Sequence, residues 1–495
     1  MRDPIPAPEL LEAARAAVTR LRSRGASYAE VRHVKDEREQ LSVREQRTER
    51  LFHASSEGFG VRVIADGAWG FAARPGDDPL ALESACTEAL GVARAAASIA
   101  AGARVRIAEE EPQRGHFATP VARDPFTVPA EEKLALLFGV TRELRRLGGP
   151  AARSATALIT ARRQRKTLAT SDGAAVTQTL LHTGCGMKLV VEKDGQVQHR
   201  SYPMELDGGV GGGGWEVVER FDLPGQVARI AEEALQLLAA PPCPAGQTTV
   251  VLDTPQLALQ IHESCGHPTE SDRAFGEEVS LAGASFLTPD RLGRFRYGST
   301  HVNLTADATA EGGLGTFGWD DEGVPATRTP LVARGQFVGY LTSRETAARL
   351  GLPRSGGCVR AEAWNRVPIV RMVNVSLEPA AGGPSLEELI ADTSDGILLG
   401  NNRSWSIDDL RLNFQFGCEI AWEIKSGRRT RVLRNPIYTG STPRFWAGCD
   451  AVGGPESFRM WGLTSCGKGD PMQLMAVGHG CPPARFRDVT VGAGA

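Results

Sequence analysis

The N-terminal half of the chain alternates between apolar residues spaced as in a helix and apolar residues spaced as in a strand. Residues 8–23 follow the helical period, and one face of the predicted helix holds Leu10, Leu11, Ala14, Val18 and Leu21. Extended, alternating segments follow around 41–52 and 58–73, and Asp66-Gly67 within the second segment predicts a hairpin turn. A second helix, over residues 79–100, completes this unit.

The same order of patterns then recurs. A helix is predicted over 130–147, strands around 154–169 and 176–202 with a hairpin turn at Asp194-Gly195, and a closing helix over 225–238. We interpret the recurrence as a weak internal duplication. Two copies of helix, antiparallel sheet and helix predict an α+β fold class for this half.

A proline-rich linker, Pro241-Pro242-Cys243-Pro244, marks the predicted boundary between an N-terminal region, 1–243, and a C-terminal domain, 244–495. The C-terminal domain consists of short apolar stretches separated by Gly, Pro and Asp-Gly signals, which predict a mostly-β structure. It begins with a strand over 248–253 and a short helix over about 255–265, with Thr254 as the N-cap. A hairpin over 331–340 and a helix over 385–391 follow.

The end of that short helix carries the most informative motif, His262-Glu263-Ser264-Cys265-Gly266-His267. Zinc peptidases commonly place two histidines four residues apart on a helix, with a glutamate as general base between them. Here the spacing is five residues, which on a regular helix turns the second imidazole about 140° from the first. One ion can be shared if the helix contains a π-bulge or unwinds at Gly266.

The alternative interpretation of the motif is a helix end whose polar side chains are hydrogen-bonded and bind no metal. A third ligand would favour the metal, and a cysteine thiolate suits zinc. None of the nine cysteines shows Cys-x-x-Cys spacing, but Cys466 lies in a glycine-flanked loop and is the leading candidate. Cys481 and Glu270 are weaker candidates.

Two other features suggest ligand binding but favour plainer interpretations. The glycine run at Gly208, Gly209 and 211–214 could hold a ligand or support a substrate strand, although a flexible surface loop is favoured. The acidic run Asp320-Asp321-Glu322 resembles a cation site, but one acidic turn supplies too few ligands for calcium. We expect a solvated turn with a structural role near the metal site.

Several motifs along the chain resemble the TldD/PmbA family of metallopeptidases, on the TldD side. In chain order they are Gly58 to Val63 with Asp66 to Phe71, His262 to Glu270, Asp320 to Pro325, Gly339 to Arg344, and Cys466-Gly467-Lys468. The resemblance implies a metal site made by His262, His267 and Cys466, with Glu263 as catalytic base. The implied metal is zinc, with iron or another divalent transition metal as alternatives.

The resemblance also implies a peptidase that acts on unfolded, extended or modified peptides. A dimer is expected, either with a motif-less PmbA/TldE-like paralogue or with a second copy. The alternative is a non-catalytic peptide-binding or regulatory subunit with a structural metal, and a third, weaker reading is hydrolysis of another amide. The residue that stabilises the oxyanion is left open among His301, Tyr340 and His479.

Composition excludes several other classes of protein. The formal charge of −3 and the pI near 6.4 give no electrostatic footprint for nucleic acid, so no direct binding is expected. The chain has no 18-residue apolar run, which excludes a predicted membrane helix. Residues 1–6 lack a signal-peptide pattern, and the unpatterned cysteines suit a reducing compartment, so a cytoplasmic location is expected.

Overall fold

A computed structural model describes residues 8–99, 104–205, 209–278 and 283–494. It confirms the α+β class, because helices and one long antiparallel sheet are followed by a mostly-β C-terminal half. The last residue of the predicted 79–100 helix, Ala100, lies outside the described residues, as does Gly208.

The N-terminal sheet has the strand order β3-β2-β1-β5-β6-β4, and β7 and β8 also pair with β6. All of these pairings are antiparallel except that of β4 with β6. The strands are β1 (Tyr28–Arg44), β2 (Arg47–Ala65), β3 (Ala68–Pro75), β4 (Arg114–Ala118), β5 (Ala152–Thr170), β6 (Ala175–Lys193), β7 (Gln196–Tyr202) and β8 (Gly209–Gly212). The centre of the sheet is the pairing of β1 with β5, which joins the two predicted repeats. Their duplication stays a prediction.

Helices pack on this sheet and form two apolar cores. The helices are α1 (Pro8–Ser23), α2 (Pro79–Ile99), α3 (Ala130–Gly148), α4 (Glu216–Phe221) and α5 (Leu223–Ala239). One core holds Leu21, Phe59 and Leu90, and the other holds Leu137 and Ile230. Alternate residues of the strands supply the facing side chains, because successive residues of a strand point to opposite faces.

The hairpin turns at Asp66-Gly67 and Asp194-Gly195 are confirmed, and both residues of each turn have positive φ. The single extended segment predicted over 41–52 is wrong. The chain reverses there at Glu45 and Gln46, which take φ of 51° and 58°. Neither residue is a glycine, so the sequence carried no strong turn signal at this point.

The glycine run is not a surface loop, as its described part shows. Gly209–Gly212 forms β8, which pairs with β6. The close approach of these strands requires glycine, since a Cβ at Gly184 of β6 would lie 2.4 Å from the Gly209 carbonyl oxygen. The tertiary pairing of two glycine-bearing strands thus outweighed the low strand propensity of glycine.

The C-terminal half contains a ring of paired strands. Strands β16, β9, β23, β19 and β17 pair in that order, and β17 pairs again with β16. The strands of this half are β9 (Gly246–Leu252), β10 (Leu304–Asp307), β11 (Arg328–Ala333), β12 (Gln336–Phe337), β13 (Val359–Arg360), β14 (Ile369–Val370), β15 (Val375–Leu377), β16 (Asp395–Ile407), β17 (Asn413–Lys425), β18 (Arg428–Leu433), β19 (Pro436–Ser441), β20 (Cys449–Val452), β21 (Arg459–Lys468), β22 (Gln473–Cys481) and β23 (Ala484–Ala493).

Its helices are short, namely α6 (Thr254–Ile261), α7 (Ser271–Ala274), α8 (Arg344–Arg349), α9 (Leu386–Ala391) and α10 (Thr442–Ala447). The predicted helix near 385–391 is confirmed as α9, and the predicted hairpin over 331–340 as β11 and β12. No helix in the described part of the chain has the length and hydropathy that a membrane span needs.

The acidic run Asp320-Asp321-Glu322 is buried between the two halves, so the expectation of a solvated turn is wrong. Asp321 accepts hydrogen bonds from Lys166 of β5 at 2.8 and 3.0 Å. Glu322 pairs with Arg62 of β2 at 2.8 Å. The structural role is therefore to fix the N-terminal sheet against the C-terminal half, through ion pairs that the sequence could not reveal.

We predict that Asp321→Asn destabilises the protein by about 3–5 kcal/mol, because it leaves the buried Lys166 ammonium without its counter-charge. Burial alone would raise the pKa of Asp321, but Lys166 and then Arg32 hold it below its ordinary value. Chemical denaturation measures the change in the free energy of unfolding. Asp395→Asn, which breaks an exposed pair with Lys425, is the control and should cost less than about 1 kcal/mol. Equal effects would contradict the prediction.

Candidate metal centre

The motif lies on a helix that widens at its C-terminal end. Helix α6 continues as a π-helical turn over His262–Gly266 and a 3₁₀ turn over His267–Thr269. The N–H of His267 donates to the carbonyl oxygen of His262, five residues earlier. Of the two predicted solutions to the histidine spacing, the structure adopts the π-bulge.

Two details of this helix differ from the prediction. The N-cap is Asp253, whose side chain accepts a hydrogen bond from the Thr254 N–H, so Thr254 is the first helical residue. Gly266 has ordinary helical dihedrals and does not unwind the chain. Glycine is needed there for packing, because a Cβ would lie 2.0 Å from the sulfur of Met372.

Side chains complete the hydrogen bonding that the widened turn leaves open. The Tyr297 hydroxyl donates to the Ser264 carbonyl oxygen at 2.6 Å. The Thr269 hydroxyl lies 2.9 Å from the carbonyl oxygens of both Cys265 and Gly266. Because buried carbonyl groups need partners, these contacts stabilise the π turn against a return to regular helix.

The structure brings His262, His267 and Cys466 together. One potential ligand atom from each residue lies within 4.8 Å of the others, and all three residues are buried. The Cys466 sulfur is 3.7 Å from Nε2 of His267. Cys466 reaches this position from β21, directly after a bulge that interrupts its pairing with β22.

Hydrogen bonds orient both imidazoles toward this cluster. Nδ1 of His479 lies 2.9 Å from the Val375 carbonyl oxygen, which can only accept, so His479 donates there and its Nε2 is an acceptor. Nδ1 of His262 therefore donates to Nε2 of His479, at 2.8 Å. Nδ1 of His267 likewise donates to Glu270, at 3.1 Å. Both candidate ligands then present the lone pair of Nε2, which is the form that binds metal.

Burial sets the protonation of the three groups. It lowers the pKa of His262 and of His267 to about 4, so both rings are neutral at pH 7. Burial alone would raise the pKa of Cys466, but the Arg371 guanidinium and then His267 hold it below its ordinary value. Arg371 also donates a hydrogen bond to the Cys466 carbonyl oxygen. The donor set is thus two neutral imidazoles and a thiol that ionises easily, which fits a zinc-type ion.

Glu263 borders the cluster and is held by a residue that the sequence analysis did not single out. Nη1 of Arg411 donates to Oε2 of Glu263 at 2.6 Å, and both side chains are buried. Arg411 follows β16 and has a positive φ of 63°. The sequence carried no local signal for this pair, because the two residues are 148 positions apart along the chain.

These residues line one cavity of about 450 Å³. Trp405, Ile407, Leu259 and the segment from Leu463 to Gly467 complete its wall. Trp405 is 45% exposed, whereas the three candidate ligands are almost fully buried. The cavity therefore connects the solvent with the cluster.

Three family models match almost the whole chain. They describe domain 1, the central domain and the C-terminal domain of the PmbA/TldA metallopeptidases, and they match residues 29–100, 123–239 and 245–493. The chain belongs to the PmbA/TldD family of metallopeptidases.

Relatives within the PmbA/TldD family are similar over most of their length. A metalloprotease of Methanothermobacter thermautotrophicus is 29% identical over 470 residues, which cover 94% of this chain and 95% of the relative. A protein of Saccharolobus solfataricus named as a zinc metalloprotease TldD homologue is 23% identical, with 84% and 87% covered. The crystal structure of TldE from Thermococcus kodakarensis has a TM-score of 0.73 at 16% identity, with 97% and 100% covered, and shows a shared fold.

The other candidate residues of this family member have different partners. The thiol of Cys481 donates to the Thr254 carbonyl oxygen, at the opposite end of α6 from the cluster. Glu270 pairs with Arg273 and orients His267. Among the oxyanion candidates, His301 and Tyr340 do not line the cavity, and His479 positions His262. The Tyr340 hydroxyl donates to the Leu287 carbonyl oxygen.

We predict that the metal-free chain loses stability as the pH falls from about 6.5 to 4. In that window the unfolded chain protonates His262 and His267, whose ordinary pKa is about 6.5, while the folded chain leaves them neutral, so protons favour unfolding. Each ring contributes up to about 3 kcal/mol. Urea denaturation across this range should show a shallower pH dependence for His262→Phe. The exposed-site control His53→Phe should keep the wild-type dependence, and an unchanged slope in His262→Phe would refute the prediction.

Proposed function

We propose that this chain is a zinc-type metallopeptidase that hydrolyses peptide bonds in unfolded, extended or modified peptides. His262, His267 and Cys466 are the proposed metal ligands, and Glu263 is the proposed general base. The observation that carries the proposal is the three-donor cluster beside a carboxylate in one cavity. Among the described residues no fourth His, Cys, Asp or Glu joins this cluster, and catalytic zinc sites typically have three protein ligands and a water.

The donor set supports zinc, and it also accommodates iron or another divalent transition metal. The name of the Saccharolobus relative agrees with zinc. A zinc ion held by these residues would act as a Lewis acid and lower the pKa of a water toward neutrality.

Glu263 is suited to transfer the proton of the attacking water during hydrolysis of the peptide bond. Arg411 holds Oε2 of the carboxylate, and Oε1 accepts no hydrogen bond from another described residue. With its orientation fixed, Oε1 takes the proton of the attacking water and then delivers it to the leaving amine. Arg411 is in this account a positioning residue.

The depth of the cluster supports extended peptides as substrates. The candidate ligands are buried in the wall of a cavity of about 450 Å³, to which the exposed Trp405 also contributes. A folded domain cannot enter such a space, whereas a single extended chain can. The same shape suits the alternative function, a peptide-binding or regulatory subunit with a structural metal. That alternative needs a fourth protein ligand, and the other partners of Cys481 and Glu270 argue against it.

Metal content and peptide cleavage, measured on the same variants, test the proposal. Wild type and Glu263→Gln should each bind about one zinc per chain, because Glu263 is not a ligand, whereas His262→Ala and Cys466→Ala should lose it. Glu263→Gln should lower kcat for unstructured peptides by about 10²–10⁴-fold. The matched control is Cys481→Ala, another buried cysteine near α6, which should keep both metal and activity.

Different failures point to different errors. Wild type that binds zinc but cleaves no unstructured peptide would favour the regulatory subunit. Zinc retained in Cys466→Ala would show that the third ligand is another residue. Full activity in Glu263→Gln would remove Glu263 as the base.

We also propose a dimer, either of two copies or with a motif-less PmbA/TldE-like paralogue. Residues 47–56 of β2 pair only with β1 among the described strands, so one edge is free, and Leu51 and Phe52 on it are 65% and 44% exposed. Free edges of this kind readily pair with another chain.

A cytoplasmic location is proposed from the free thiols. The absence of nucleic-acid binding stays a prediction.

Native mass spectrometry should find twice the 52.9 kDa of one chain, or the heterodimer after co-expression with the paralogue. Phe52→Lys should weaken the complex, because it places a charge on the free edge. Leu80→Lys, on the exposed surface of α2, is the control and should not. A single-chain mass in both preparations would exclude the dimer.

A further inference from the structure

A second cavity, of about 230 Å³, adjoins the candidate metal centre. The two cavities share Thr464 and Ser465, the residues of the β21 bulge that immediately precede Cys466. The rest of the second cavity is lined largely by the N-terminal sheet. The second cavity therefore lies next to the cluster, on the side of Thr464 and Ser465.

The register of the sheet determines the floor of this cavity. Arg38 of β1 lies opposite Arg162 of β5, which lies opposite His182 of β6. One row along, Gln40 lies opposite Thr160. Residues directly opposite in antiparallel strands share a face, so these polar side chains form one surface. The first row continues from His182 to Gly212, and the second row continues from Thr160 to Gly184. Because glycine has no side chain, neither residue fills the space above the sheet.

His182 offers this cavity a polar ring on the floor formed by the sheet. It is only 8% exposed, and its ring makes no hydrogen bond to another described residue. Burial, and then Arg162, lower its pKa to about 3, so the ring is neutral at pH 7. A neutral imidazole has one N–H donor and one acceptor nitrogen. A ligand group that both accepts and donates can therefore bond to both ring nitrogens.

The two arginines that line the cavity, Arg38 and Arg162, already have carboxylate partners, since Glu362 lies 3.7 Å from Arg38 and a second carboxylate serves both. The Asp36 carboxylate accepts hydrogen bonds from both Arg38 and Arg162, at distances of 2.8–3.0 Å. Arg162 also donates to the Glu362 carbonyl oxygen. A charged ligand group would lose its hydration here without gaining an unpaired counter-charge from the described residues that line the cavity. Leu158, Val210 and Ala476 add apolar surface to the same cavity.

From these contacts we infer that this cavity is a substrate subsite that selects a side chain with an apolar stem and an uncharged amide end, as in glutamine. Leu158 and Val210 contact the stem, and His182 exchanges hydrogen bonds with the amide. The inference rests on the proposed function, in which a peptide passes Cys466. It assigns part of the substrate selectivity to the N-terminal half.

Sets of unstructured peptides that differ at one position, with Gln, Leu or Glu, test the subsite on the full-length, zinc-loaded chain. In some sets the varied position lies before the cleaved bond, and in others it lies after it. Wild type should prefer Gln to Leu and to Glu at one of these positions by about tenfold in kcat/KM, the value of one or two net hydrogen bonds. His182→Leu should lose the preference for Gln, measured as the ratio of kcat/KM for the Gln and Leu peptides, while its zinc content stays within twofold of wild type.

His33→Leu is the matched control. His33 is also a buried histidine of the N-terminal sheet, but it belongs to β1 outside the cavity and contacts Phe59 and Glu57. It should retain the preference for Gln. If both variants lose it, the effect comes from a general disturbance of the sheet and the subsite is refuted.

A binding assay separates failure of the subsite from failure of the proposed reaction. Fluorescein-labelled Gln and Leu peptides are titrated into zinc-loaded Glu263→Gln, and into the same chain with His182→Leu added. Tighter binding of the Gln peptide that disappears in the double variant supports the subsite even if wild type cleaves nothing, in which case only the peptidase proposal fails. A preference that is absent, or that survives His182→Leu, overturns the subsite whether or not peptides are cleaved.

Discussion

The π turn at His262–Gly266 is the constraint on which the candidate metal centre depends. Two imidazoles five residues apart diverge on a regular helix, and the wider turn brings their rings to a centroid distance of 4.7 Å. The turn is stable because Tyr297 and Thr269 bond the carbonyl groups that it frees, and because Gly266 lets Met372 approach. The helix that carries the motif is buried along nearly its whole length, so the rest of the C-terminal half holds it in place.

Burial also prepares the chemistry of the donor groups. It keeps His262 and His267 neutral. The hydrogen bonds from His479 to the Val375 carbonyl oxygen and from His262 to His479 direct the lone pair of His262 toward the cluster. Arg371 counteracts the effect of burial on Cys466. A buried site of this kind binds metal only when its neighbours fix tautomer and charge, so the surrounding shell matters as much as the three donors.

The N-terminal half is fixed to the C-terminal half and forms part of the surroundings of this site. Buried pairs such as Lys166 with Asp321 and Arg62 with Glu322 lock its sheet against the C-terminal half. Because the sheet is fixed there, its polar rows form the floor of the cavity beside Cys466. The same strands thus serve the stability of the two halves and the shape of the space that a peptide would occupy.

The sequence by itself determined the elements with strong local signals and the chemistry of one motif. Helical and alternating periods located the long helices and strands, and Asp-Gly pairs located two hairpins. The histidine spacing predicted a π-bulge or an unwound turn at Gly266 if both rings share one ion. Local signals failed at Glu45-Gln46, at the glycines of β8 and at the Asp253 cap. Only the tertiary structure decided that Cys466 lies beside His267 across 199 residues, that His479 orients His262 across 217, and that Arg411 holds Glu263 across 148. The physical reason is that local periodicity reports the conformation of a segment and its buried face, whereas contacts between distant residues depend on how all the segments pack together.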